Sequence, residues 1–285
     1  MWMARCGRQP RVFTKLRLII RPGGIGDCIL SLPAIDHLRT ESTEIWVPSA
    51  LLPLISGPAR AIASTGIDLL GLPGVEPPAG LIAKLRSFDS IVSWYGANRA
   101  EFREHVSALG LPFQFLDALP DPNAKIHAAD FFLTQVGGVG LAVPRIDCKR
   151  SARGDFAAIH PFSGSARKNW PLCRFRELAA QLALPVQWCA GPDEPLEDAV
   201  RFDNLHTLGS CLAGAALYVG NDSGITHLAA AVGTPVVAIF GPTNPAVWAP
   251  RGERVSVVIG ASLDEISVDE VLEAARKVSP RFLEF

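Results

Sequence analysis

The chain has no closely paired cysteines, no strong charge of either sign and no apolar run long enough to span a bilayer. Its six cysteines (Cys6, Cys28, Cys148, Cys173, Cys189, Cys211) are scattered, without a CxxC pair or a histidine at ligand spacing. A disulfide framework or zinc site is therefore not expected, and a reducing cytosol is the simplest context. A formal net charge of −1 gives no general electrostatic reason to bind nucleic acid. The most apolar run, Ile225 to Phe240, is broken by His227, Gly233 and Pro235 and is too short to cross a membrane. Residues 1–14 hold Arg5, Arg8 and Arg11 but no acid and no apolar h-region, so they do not form a secretory signal. A flexible tail over 1–15 is expected, and its basic charge also suits an anionic membrane surface. No DxD run is present to hold a metal.

What is present describes a well-cored globular protein, with 48% hydrophobic and 19% charged residues over 285 positions, a length that accommodates two ordinary domains. Short apolar strands alternate with helical stretches. Residues 16–20 form a buried strand, 90–96 a second, 155–160 a third, and 216–220 and 235–240 two more. Helices are expected over about 28–38, 81–88, 100–109, 127–136, 175–182 and 268–277. A mixed seam carries Pro144 and the basic residues Arg145, Lys149, Arg150 and Arg153. It is read as a linker over 141–154, between domains at 16–140 and 155–265, with a terminal helical segment at 266–285.

Four loops at strand ends hold the chemistry. The first, Arg21-Pro22-Gly23-Gly24-Ile25-Gly26-Asp27, is rich in glycine between a strand and a helix, which requires a sharp turn and leaves room for something to approach. It is not a dinucleotide fingerprint, because position 29 is Ile29 and the following strand ends at Val47-Pro48 without an acid. What it offers is Asp27, a carboxylate at a helix N-terminus in a crevice lined by Gly24 and Gly26; the same residue also suits an ordinary first helical turn. Asn98 and Arg99, past the end of another strand, are weaker candidates.

The second loop, His160 to Pro171, contains Ser163, Gly164, Ser165 and Lys168. Its serines can offer donors to phosphate oxygens and Lys168 can neutralise a phosphate as a point charge. The third, Gly191-Pro192-Asp193-Glu194, places a carboxylate about 25 residues further on, where it could accept from ribose hydroxyls. Whether Asp193 or Glu194 does so stays open. The fourth is NDSGITHLAAAVGTPVVAIF, Asn221 to Phe240: strand, polar turn, helix, strand. A βαβ unit binds ligands where its helix begins, and that end has free N–H groups and a favourable dipole for phosphate. Ser223 adds a hydroxyl, Gly224 permits close approach and His227 lies one turn in. Asp222 and Ser223 equally suit an N-cap.

Taken together, GGIGDCILSLPA, SGSARKNWP, GPDE and GNDSGITHLAAAVGTPVVAIFGPT resemble glycosyltransferase family 9, the bacterial lipopolysaccharide heptosyltransferases that use ADP-heptose. The matches recur in family order over residues 16–260. The resemblance implies an α/β GT-B fold, two Rossmann-like domains facing across a central cleft, acceptor on the N-terminal side and nucleotide-sugar on the C-terminal side. It also implies that residues 266–285 pack back toward the N-terminal domain. By that resemblance Asp27 takes the place of the catalytic base and Lys168 that of the lysine that binds donor phosphate, with Ser163 and Ser165 assisting. Glu194 falls near the ribose-binding acid. Asp222, Ser223, Gly224 and His227 match the segment that cradles the diphosphate and faces the transferred sugar.

The expected activity is an inverting transfer of a sugar, heptose first among them, from an ADP-sugar to a lipopolysaccharide-core or other glycan or glycolipid acceptor. No cofactor or metal is expected beyond the donor itself, nor any nucleic-acid partner, and the expected location is the cytoplasm with peripheral contact at the inner membrane. Rival readings are a GT-B sugar-nucleotide epimerase or hydrolase, which would act on donor alone, and a non-catalytic nucleotide-binding protein, which would tolerate loss of Asp27. A nicotinamide-dependent dehydrogenase is weakened by the missing fingerprint.

Overall fold

A computed structural model describes residues 15–121, 125–149 and 154–279. All but Lys15 of the expected tail over 1–15, part of the linker (150–153) and the end of the terminal segment (280–285) lie outside these residues.

Among the described residues, two five-stranded sheets, each entirely parallel, account for the named strands. The first is built from β1 (Arg17–Ile20), β2 (Thr43–Val47), β3 (Ala59–Ala61), β4 (Ser90–Ser93) and β5 (Phe113–Phe115), in the order β3-β2-β1-β4-β5. Its helices are α1 (Ile25–Leu38), α2 (Leu81–Arg86), α3 (Ala100–Ala108) and α4 (Ala128–Gln135). Leu18, Ile19 and Ile20 are all fully buried, as expected of a central parallel strand covered by helices on both faces. β1 is flanked by β2 on one side and by β4 on the other, both of which follow it in the chain. The strand order therefore reverses at β1, and the crevice outside its C-terminal end is where such sheets bind ligands. The glycine loop 21–27 occupies that crevice.

The second sheet contains β6 (Ala157–His160), β7 (Val186–Trp188), β8 (Leu217–Asn221), β9 (Val236–Phe240) and β10 (Val255–Ile259), ordered β10-β9-β8-β6-β7. Its helices are α5 (Leu172–Gln181), α6 (Leu205–Gly214), α7 (Gly224–Ala231), the single turn α8 (Pro245–Trp248) and α9 (Val268–Val278). Here the reversal falls between β6 and β8, so the loops after His160 and after Asn221 leave side by side. A buried bridge joins them: Asn221 accepts from the Trp170 backbone N–H through Oδ1 (2.9 Å) and donates through Nδ2 to the Pro161 carbonyl (2.8 Å).

One expectation is overturned. Helix α9 does not turn back to the N-terminal half but lies on the C-terminal sheet. Val268, Val271, Leu272, Ala275 and Val278 sit at helical spacing and share a core with Ile159, Val219, Val237 and Ile239. The Ser279 hydroxyl then donates to the Ala216 carbonyl at 3.0 Å. An amphipathic helix docks on the nearest uncovered apolar face, and β9–β10 with α5 supply one directly before it.

The two halves meet through a common core. Ile29, Leu32 and Ile35 of α1 belong to one buried cluster with Leu228, Ala229 and Ala230 of α7. The first turns of the two helices touch at glycines: a Cβ on Gly224 would lie 2.6 Å from Ile25 Cβ and 3.0 Å from the Gly26 nitrogen. A polar clamp reinforces this contact. Asp130 of α4 makes a bidentate pair with Arg251, both distances 2.6 Å, and the Arg251 guanidinium pulls the Asp130 carboxyl below its ordinary pKa. His127 caps α4 by accepting the Ala129 N–H on Nδ1 and reaches across to the Ala249 carbonyl with Nε2 at 2.9 Å. These two contacts fix a neutral ring protonated on Nε2.

Candidate functional site

Between the halves lies a cavity of about 1070 Å³, walled by the first turn of α1, the turn at 49–53 and Leu119 on one side. The other side is formed by the loop at 163–168, residues 189–194, the start of α6, the start of α7 and Trp248. Both points of strand-order reversal open into it.

Asp27 stands at the third position of α1, half-buried. Its Oδ2 accepts the Gly24 N–H at 3.0 Å, so the carboxylate closes the turn that begins the helix. No described residue bonds Oδ1, which leaves one oxygen for a ligand. Gly23, with φ of +119°, makes that turn possible. Behind it sits Arg21, 1% exposed, which the sequence did not single out. Its guanidinium donates from Nε to Ser31 Oγ (3.0 Å) and from Nη2 to the Asp27 carbonyl (3.1 Å), and lies 4.5 Å from the centre of the Phe132 ring. Burial pulls its pKa down from the ordinary value. This cation is thus a brace for the first turn of α1, held by hydrogen bonds and ring faces rather than by a carboxylate.

Across the cavity, Ser223 caps α7 by accepting the Thr226 N–H. Tyr218, Ser223, Thr226 and the Asn221 carbonyl form a closed hydrogen-bond set beneath this cap. Lys168 reaches over from the neighbouring loop and places Nζ 2.7 Å from Asp222 Oδ2. The ammonium has three donors, so two remain for a ligand. Ser163 also lines the cavity, and its hydroxyl bonds within its own loop, against Asn169 Oδ1 (2.7 Å) and the Ser165 carbonyl (2.8 Å). It shapes the loop, while Ser165 and Gly164 are exposed at its tip.

Glu194, not Asp193, lines the cavity. Its Oε2 accepts from the Gly191 N–H at 2.6 Å and from His160 Nε2 at 3.0 Å. Burial alone would raise its pKa, but these hydrogen bonds prevail and hold the carboxyl below its ordinary range. His160, a second residue the sequence left unassigned, orients this carboxylate from the end of β6. The outlying candidate Arg99 belongs elsewhere: it donates to the Tyr95 hydroxyl (3.0 Å), away from the cavity.

His227 is buried at the junction itself. A Cβ on Gly26 would lie 3.0 Å from its Cδ2, so the imidazole wedges between α1 and α7 while touching the cavity. Desolvation lowers its pKa to about 4, partly opposed by Asp222, and the ring is neutral at physiological pH. Trp248, also unassigned from sequence, lines the cavity from α8 and is fixed there by the His127 contact to the next residue. Among the described residues, no three His, Cys, Asp or Glu side chains converge in a way that could hold a metal ion. No helix of the described residues is long and apolar enough to cross a membrane.

The structure thus brings Asp27, Ser163, Lys168, Glu194, Asp222, Ser223, Gly224 and His227 around one cavity, with Gly24 and Gly26 in its wall and Ser165 at its mouth. A nucleoside diphosphate needs a carboxylate for its ribose, and a cation with a helix N-terminus for its phosphates; both are present.

Known proteins are similar to this chain in sequence over part of its length and in fold. The model of glycosyltransferase family 9 (heptosyltransferase) matches residues 203–271. A lipooligosaccharide heptosyltransferase 2 of Haemophilus influenzae is 27% identical over 111 residues, 32% of this chain and 32% of that protein. A lipopolysaccharide heptosyltransferase 1 of Pseudomonas aeruginosa is 33% identical over 109 residues, 33% of this chain and 30% of that protein. The matched stretches thus span about a third of these relatives' lengths. The solved structure of the E. coli ADP-heptose lipopolysaccharide heptosyltransferase II superposes with a TM-score of 0.73 at 18% identity, covering 93% of this chain and 99% of that one. An E. coli heptosyltransferase solved with ADP gives 0.63 at 18% identity, covering 90% and 98%. The resemblance to family 9 therefore holds, and the two-sheet architecture is the GT-B fold.

Proposed function

We propose that this chain is an inverting glycosyltransferase that moves a sugar, heptose first among candidates, from an ADP-sugar to a hydroxyl of a lipopolysaccharide-core or other glycan acceptor. The observation that supports this best is the opposition of Asp27 on one wall of the cleft to Lys168 and the α7 N-terminus on the other. The family 9 match over the nucleotide half and the ADP-bound relative support the donor.

In this reading the acceptor oxygen attacks the anomeric carbon and its proton passes to the free oxygen of Asp27. The bond between anomeric carbon and diphosphate oxygen breaks with its electron pair, and ADP leaves. Charge builds on the departing diphosphate, which in this reading takes the two remaining donors of Lys168 and the first N–H groups of α7; fixed donors of this kind lower the barrier without reorganising. The Glu194 carboxylate, ionised and oriented by His160, accepts from the ribose. His227, neutral, can donate to or accept from the transferred sugar without adding charge. Contact with the cytoplasmic membrane face belongs to the same proposal, through a glycolipid acceptor.

Thermal unfolding with ADP, UDP, GDP and NAD, each with EDTA or magnesium, tests the donor. A ligand at about a hundred times its Kd adds roughly 2.7 kcal/mol of stability. A shift with ADP that persists in EDTA is expected; a shift with NAD alone would overturn the reading. Asp27→Asn keeps the acceptor oxygen for Gly24 and should retain ADP binding while losing about a hundredfold or more in turnover. Unchanged turnover would reduce Asp27 to a helix-starting residue.

A further inference from the structure

The loops on the nucleotide side of the cavity follow the strand order of the second sheet. Along its C-terminal edge, β7 leads to Glu194, β6 to Lys168, β8 to Asp222 and the start of α7, and β9 to α8 with Trp248. Three strand spacings, roughly 14 Å, separate the ends of β7 and β9. A nucleotide-sugar has the same linear order: ribose, diphosphate, sugar. With the ribose at Glu194 and the diphosphate at Lys168 and the α7 N-terminus, the sugar falls at the β9 end.

Trp248 is what that end presents, and both of its neighbours are fixed. Val247 is buried in the core common to the two halves, and the Ala249 carbonyl meets His127 Nε2 at 2.9 Å. The turn starts on Asn244, whose Oδ1 accepts the Ala246 N–H at 3.0 Å, with Pro245 next in the chain. The Trp248 indole is left half-buried in the cavity wall. Among the described residues none stacks on its ring and none accepts from its Nε1, which, unlike that of Trp94, is not sealed from solvent. His127, bonded to the residue after Trp248, is close enough to His227 to act on its charge, as are Asp27 and Lys168. Trp248 therefore shares the end of the cavity where Asp27 faces Lys168. A rigid apolar ring with a free N–H at its edge suits a sugar, whose C–H groups pack on the face while a hydroxyl accepts the hydrogen bond. Once a ligand displaces water, that N–H needs such a partner.

Resting on the glycosyltransferase reading above, we propose that Trp248 is the platform for the transferred sugar, packing its indole against one C–H face of the sugar ring and donating from Nε1 to one of its hydroxyls. It serves the sugar, not the nucleotide and not the acceptor.

The test compares binding of ADP with binding of ADP-heptose and ADP-glucose to the full chain by calorimetric titration. Trp248→Leu keeps apolar bulk against the core but loses the flat face and the N–H. It should bind ADP within about twofold of the native protein and the ADP-sugar about tenfold more weakly. Trp248→Phe restores a flat face without the N–H and should lose only about threefold for the ADP-sugar; it decides alone if Trp248→Leu does not fold. Equal weakening of ADP and ADP-sugar in Trp248→Phe would overturn the proposal, because the ring would then serve the nucleotide. Unchanged ADP-sugar binding would overturn it too, whether or not the acceptor KM rises, as would native protein that binds ADP but neither ADP-sugar. Native protein that binds no ADP would instead overturn the nucleotide reading on which the proposal rests.

Discussion

Gly224→Ala is a small change with a large expected effect, because of where the added carbon falls. It would lie 2.6 Å from Ile25 Cβ and 3.0 Å from the Gly26 nitrogen, against an ordinary contact limit of about 3.4 Å. Neither obstacle can rotate away, since one is a side-chain stem and the other is backbone. Relief requires α1 and α7 to separate by roughly 0.8 Å at their first turns. Overpacking of that kind costs about 1–3 kcal/mol of stability. The same separation moves Asp27 relative to Ser223 and Lys168, and a misplacement of about 1 Å at a reacting centre costs on the order of a hundredfold in rate. Urea denaturation measures the first effect and single-turnover transfer from ADP-heptose the second. Ile25→Ala supplies a control: it removes Cγ2 but keeps the Cβ that clashes, so the double variant should be no better than Gly224→Ala alone. Native stability and turnover in Gly224→Ala, or rescue by Ile25→Ala, would refute the account of how these helices meet.

Lys168→Ala should weaken ADP binding and transfer together, and adding Asp222→Asn should restore part of the affinity by removing a carboxylate left unpaired beside the diphosphate; calorimetric titration of ADP decides, and no recovery counts against the pairing. A double-mutant cycle on Asp130→Asn and Arg251→Met should show a coupling of about 1 kcal/mol, reduced from a fully buried value because both side chains retain some exposure; simple additivity would mean the clamp adds nothing. Folding lowers the His227 pKa to about 4 from the ordinary 6.5, so between those values the unfolded chain binds a proton that the native one does not. Stability should therefore fall as pH drops through that window, and His227→Gln should flatten the slope. An imidazole titrating near 6.5 by NMR would contradict this.

Much of this architecture was legible because burial on both faces leaves a continuous apolar signature. Leu18-Ile19-Ile20 and Val236 to Phe240 can be little other than central parallel strands, and the polar turns that follow such strands mark the cleft. Helix α6 was not legible. Its sequence, Leu205 to Gly214, contains Gly209, Ser210 and Gly214, a poor local case for a helix. The reason for Gly209 is tertiary: a Cβ there would lie 2.8 Å from Cys148 Sγ. The docking of α9 failed for a related reason, since amphipathic spacing says that a face is buried but not against what. Lys168 and Asp222 were each recognised, yet their pairing, 54 residues apart in the chain, depends on β6 and β8 lying side by side. Arg21 drew no assignment from the sequence because the rings that enclose it, Trp94 and Phe132, come from distant elements.

The core shared by α1 and α7 makes two sheets behave as one cooperative unit. Separating the halves would strip Ile29, Leu228 and Ala229 of their packing and break the Asp130–Arg251 and His127–Ala249 contacts at once. Neither sheet then keeps a complete interior when the other melts, so heat or denaturant should carry both through a single transition with matching calorimetric and van't Hoff enthalpies. A chain cut within the linker would behave as two fragments that fold by finding each other.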